Sequence, residues 1–147
     1  MKLIAHRGNI TGPKPELENS PDYIFEAIKK GFDVEIDVWY STDGKFMLGH
    51  DNPDYKFPFE LLENWYSRLW IHCKNYLALA KLVEIDKGGH KLNYFWHEED
   101  FATLTSKGYI WSIHPIDYGI LVMPESSNTV QTTTTKGICS DFIGEYA

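Results

Sequence analysis

Short apolar runs alternate along this chain with segments of helical period, and most of the runs end abruptly in polar residues. Residues 2 to 5 read as a buried strand that stops at His6-Arg7-Gly8. After a Gly/Pro-rich loop, Asn19 or Ser20 followed by Pro21 marks a helix start, because proline at the first helical position forfeits no hydrogen bond. Ile24, Phe25 and Ile28 continue that helix, Gly31 closes it, and a strand follows from Phe32 to Tyr40. Ser41-Thr42-Asp43-Gly44 predicts a turn, with Lys45 to Gly49 returning as a hairpin partner that ends in His50-Asp51. Beyond a loop with two prolines, the pattern predicts a short amphipathic helix from Phe59 to Tyr66, a strand from Leu69 to Lys74 and a helix from Tyr76 to Ile85, ended by Gly88-Gly89. Leu92 to Trp96 is the next strand, and a weak helical pattern runs from Glu98 to Leu104.

The rhythm then changes. Tyr109 to Ile113 and Gly119 to Met123 both read as strands, but only His114 to Tyr118 separates them, which excludes a parallel pair with a helix between. Pro124 to Lys136, with four consecutive threonines, reads as a loop, and Gly137 to Asp141 as a last short strand. Strands alternating with helices predict βα units and a parallel sheet, in which chemistry collects at the C-terminal strand ends. His6, His50, His72, His97 and His114 all fall at or near such ends, whereas His90 reads as a solvated loop residue.

The chemistry concentrates on Val34-Glu35-Ile36-Asp37-Val38. Side chains at i and i+2 of a strand share a face, so Glu35 and Asp37 stand together opposite Val34, Ile36 and Val38. Two ionised carboxylates roughly 5 Å apart repel by about 3 kcal/mol at an effective dielectric near 20. A basic side chain, a shared proton or a divalent cation would offset that, and pairing with Arg7 and Lys74 in a buried ion network is the structural alternative to a metal.

A length of 147 residues suits one domain, and a net charge of −7 without a Lys/Arg-dense stripe excludes a duplex nucleic-acid binder. Cys73 and Cys139 each lie inside an apolar run, which predicts buried free thiols. No run approaches a membrane span, and the apolar run before His6 is too short for a secretory signal, so a cytoplasmic protein is expected.

Taken together, His6-Arg7-Gly8, Glu18-Asn19-Ser20, Glu35-Ile36-Asp37, Thr42-Asp43-Gly44 and His50-Asp51 resemble the ordered N-terminal motifs of the glycerophosphodiester phosphodiesterase family. Leu69 to Lys74 and Gly137 to Asp141 are similar to later strands of that family. The resemblance implies a reduced or irregular (β/α)8 TIM-type barrel with several crossover helices shortened or missing. It implies metal-dependent hydrolysis of a small phosphodiester, with His6 and His50 as general acid and base, Arg7 and Lys74 on the phosphate, and Glu35 and Asp37 on Mg²⁺ or Ca²⁺. His72 stands where the family carries a third metal carboxylate; an imidazole there makes Mn²⁺ or Zn²⁺ more plausible, or leaves Glu98 or Glu125 to supply the oxygen.

The remaining polar residues receive structural readings. Glu18 orients Arg7 or the helix start, His97 and His114 line a pocket or the core, Trp111 is buried, and Asp141 caps the last strand without chemistry of its own. Three functions follow: the phosphodiesterase, a phospholipase D of toxin type with the same motifs, and an inactive relative that binds a phosphorylated ligand. A barrel short of helices leaves apolar surface for which a homodimer is the expected cover.

Overall fold

A computed structural model describes residues 1–87, 89 and 91–147, so the expectations placed on Gly88 and His90 lie outside the described residues. Lys2–His6 (β1) is followed by Pro21–Lys29 (α1), Asp33–Tyr40 (β2), Phe46–Leu48 (β3) and Tyr55–Lys56 (β4). Glu60–Asn64 (α2), Leu69–Cys73 (β5), Tyr76–Asp86 (α3) and Tyr94–Trp96 (β6) form the middle of the chain. The last part comprises Ala102–Leu104 (β7), Ile110–Ser112 (β8), Ile120–Val122 (β9), Pro124–Ser127 (α4) and Gly137–Ser140 (β10).

The ten strands among the described residues belong to one sheet. Its parallel part runs β6, β5, β2, β1, β10, β9, β8 in space, and β3 and β7 add antiparallel strands to β2 and β8. The sheet curls until its two ends face each other. Trp70 of β5 and Phe95 of β6 thereby bring their ring centroids to 5.7 Å and 4.8 Å from that of Trp111 of β8. No ladder joins β6 to β7 among the described residues; Ser106 stitches the seam instead, donating its N–H to the Tyr94 carbonyl at 2.8 Å and accepting from the Tyr94 N–H at 2.9 Å.

Strand alternation sorts the core into two layers. Val34, Ile36, Val38, Leu69 and Ile71 point outward and bury against Ile24, Ala27 and Ile28 of α1 and Ala78 and Leu82 of α3. Ile4, Trp70, Phe95, Trp111, Ile120 and Cys139 fill the concave side. Both cysteines are free and buried, and burial pushes the Cys73 thiol up to about 12.

The fold is not the (β/α)8 TIM-type barrel that the resemblance implied. It is a strand-rich, curled half-barrel with few and short helices. The physical reason lies between β6 and β9, where the connections are too short for crossover helices. Residues 98 to 104, expected to be weakly helical, instead end in β7, whose hairpin with β8 turns through Thr105 to Tyr109. β8 and β9 are parallel neighbours after all, joined by a helix-free connection, with Trp111 opposite Ile120 and Ser112 opposite Leu121. The helix expected to reach Tyr66 breaks after Asn64 into a 3-10 turn at Tyr66–Arg68. No helix among the described residues is long and apolar enough to cross a membrane.

Candidate functional site

The register of β1, β2 and β5 assembles the site. His6 lies beside Glu35, and Asp37 beside His72, so four side chains on three adjacent parallel strands project into one end of the concave face. They line a cavity of about 170 Å³ together with Arg7, His50 and His97. Six of the seven expected site residues therefore converge. Lys74 does not line this cavity, although its charge helps hold the His50 and His97 pKa values below that of an ordinary histidine.

Arg7 and Asn19 are held in the left-handed backbone region, at φ 55° and 65°, a conformation that disfavours a bulky side chain such as arginine. The Asn19 N–H donates to the Arg7 carbonyl at 3.1 Å, tying the ends of the β1–α1 loop together. Asn19, considered from sequence as a helix cap, grips β2 instead: its amide donates to Asp37 Oδ2 and accepts from the Asp37 N–H, both at 2.9 Å. Ser20 occupies the cap position ahead of Pro21 without a side-chain cap bond. Glu18 does meet Arg7, accepting from Nη1 at 3.2 Å, and Arg7 Nε lies 3.2 Å from Asp37 Oδ2.

Asp141, read from sequence as a strand-end cap without chemistry of its own, instead reaches His6. Its Oδ1 stands 2.7 Å from His6 Nδ1 and accepts from the Asn9 amide at 2.8 Å, so the His6 Nδ1–H is turned to Asp141 and Nε2 is left facing Glu35 Oε2 at 3.6 Å. Burial would depress the His6 pKa, but Asp141 and Glu35 outweigh it and the net shift is upward. His50 follows Gly49, bonds Asp51 Oδ1 through Nδ1 at 2.8 Å and is shifted downward, by partial burial and by Arg7. The signal for Asp141 in the sequence was its position at the end of a strand, the same signal that picked out the histidines.

The buried carboxylates are unevenly served. Burial, and then Asp37, pushes the Glu35 carboxyl up to about 7. Asp37 is held well below the ordinary carboxylate range, because His72, Arg7 and the Asn19 amide together outweigh its burial. Glu35 Oε1 and Asp37 Oδ1 are buried without a hydrogen-bond partner, and His72 Nδ1 lies 3.1 Å from Asp37 Oδ1 but out of hydrogen-bonding alignment. One ligand atom from each of Glu35, Asp37 and His72 falls within 4.8 Å of the others, the spacing of donors around a single cation. Two buried carboxylate oxygens converging with an imidazole fit a divalent metal, and the ion pairs around them leave Glu35 Oε1 without a partner.

The alternative third ligands do not join this cluster. Glu98 is exposed, and Glu125 accepts from Ser140 Oγ and the Asp141 N–H, both at 3.0 Å. His97 lines the cavity and stacks on His72 with centroids 4.5 Å apart and planes 4° from parallel. His114 sits outside the cavity, edge-on to Phe101, and Trp111 is buried in the cavity wall.

No family model, curated protein or solved structure matches this chain. Function is therefore argued from the chemistry of the site.

Proposed function

We propose that the protein is a metal-dependent phosphodiester hydrolase of the glycerophosphodiesterase type. The observation that carries this reading is the convergence of two histidines, an arginine and a Glu-Asp-His cluster with the spacing of cation ligands on one cavity. Glu35, Asp37 and His72 would hold a divalent cation, which when bound would neutralise phosphate oxygens as charge builds on them. Arg7, anchored by Glu18 and Asp37, offers a planar guanidinium to a further phosphate oxygen. The opposed pKa shifts divide the work between the histidines. His50, shifted down, is the neutral base that accepts a proton from the attacking hydroxyl. His6, shifted up and aimed by Asp141, is the acid that gives a proton from Nε2 to the leaving oxygen.

The test is release of nitrophenol from bis(p-nitrophenyl) phosphate with and without chelator, for wild type and for His6→Ala and Glu35→Ala. Metal-dependent turnover, lost in both variants, is expected. Failure on every diester with metal supplied would leave a phospho-ligand binding protein, and turnover confined to lipid substrates would point to a phospholipase.

A further inference from the structure

The cavity is chemically two-sided. Apart from His50 and Asp100 in loops, its polar side chains come from or directly follow β1, β2, β5 and β6, whereas β7, β8, β9 and the residue after β8 contribute Ala102, Trp111, Val122 and Ile113. Phe101, largely exposed, extends the apolar wall toward solvent, and the exposed Asp100 lines the cavity next to it. Phe101 and Ile113 are 67% and 42% exposed, and the Ile113 N–H donates to the Phe101 carbonyl at 3.1 Å, so two large apolar side chains stand together beside a charged site. Neighbouring apolar side chains exposed at a cavity mouth mark a contact surface for a ligand.

An ester group directed at this wall leaves water without gaining hydrogen-bond partners. For a polyol such as glycerol that exchange is unfavourable, since each buried hydroxyl left unpaired opposes binding. For an alkyl or aryl group it is favourable, in proportion to the area covered. Asp100 adds repulsion toward an anionic group at the same place.

We propose that the β7–β9 wall, with Phe101 and Ile113 at its mouth, is the subsite for one ester group of the diester, and that it selects an apolar alkyl or aryl alcohol over a polyol. This inference rests on the phosphodiesterase reading and names the substrate class of the same site.

Dialkyl phosphates, which bind as diesters but resist cleavage, separate the two. Isothermal titration of dimethyl, diethyl and dibutyl phosphate into the full chain with Mn²⁺ should show affinity rising roughly fourfold for each methylene laid against the wall. Dibutyl phosphate should therefore bind at least about tenfold more tightly than dimethyl phosphate. Phe101→Ser, at an exposed position where folding is not at stake, should abolish most of that gain, weakening dibutyl phosphate far more than dimethyl phosphate. Ile113→Thr, which keeps the branched shape, should reduce the gain in the same sense. Equal affinities across the series would overturn the apolar subsite while leaving a phosphodiester site standing. Metal binding without affinity for any dialkyl phosphate would overturn both readings.

Discussion

Replacing Glu35 by Gln tests whether the buried carboxylate pair is kept for a cation. Glu35 is only 2% exposed, and its carboxyl is raised from the ordinary 4.5 to about 7, by burial first and by Asp37 second. At about 1.4 kcal/mol per tenfold change in proton affinity, an ionised Glu35 handicaps the metal-free fold by about 3 kcal/mol. The sign follows from where the proton sits. The unfolded chain loses it near pH 4.5 while the folded protein keeps it to about pH 7, so this stability is complete below the first value and is lost as pH rises through the second. The amide keeps the shape of the side chain and removes its titration. Denaturant unfolding in chelator, followed from pH 4.5 to 8.5, should show wild type losing about 3 kcal/mol relative to Glu35→Gln. His6 titrates in the same window in both proteins, so the difference between them isolates Glu35 and the part of the His6 shift that depends on it. Adding Mn²⁺ at pH 8 should raise the wild-type Tm clearly and that of the variant little. Parallel pH profiles, or an equal metal-induced rise in both proteins, would refute the reasoning.

Other expectations concern the groups around the pair. Asp141→Asn removes the main partner that raises His6, so the basic limb of the pH–rate profile should move to lower pH and turnover should fall by roughly tenfold or more; an unmoved limb would deny His6 the role of acid. Asn19→Ala deletes both side-chain bonds to Asp37 and should destabilise the protein by about 2 kcal/mol in chemical denaturation, with a loss below about 0.5 kcal/mol counting against its role as the clamp of β2. His72→Asp supplies a carboxylate where the resembled family carries one, and calorimetry should show preference moving toward Mg²⁺ and Ca²⁺ and away from Zn²⁺. An unchanged metal order would place the imidazole outside the coordination sphere.

Local signals placed most of the first half of the molecule, missing β4 and the break of the helix after Asn64. Pro21 opens α1 and Tyr76 opens α3 where the pattern put them, and the Asp43-Gly44 turn joins β2 to β3. These features depend on contacts between residues close in sequence, which a periodicity or a turn dipeptide encodes directly. The second half depended on pairing. Ala102, Thr103 and Leu104 carry no strong preference, and they extend only because β8 is available beside them. A crossover rule drawn from helix-bearing units did not cover the helix-free link between β8 and β9.

The candidate site divides in the same way. Period-two geometry alone put Glu35 and Asp37 on one face, and the strand ends singled out His6 and His72. Sequence by itself thus determined which groups were available and which face each would take, because backbone alternation is a local property. The curl of the sheet decided the rest. It brought Asp141 from the far end of the chain onto His6, set the β7–β9 wall opposite the charged strands and left Lys74 off the cavity. Those relations come from long-range register and closure, which depend on how the strands pair and so cannot be read from any one segment.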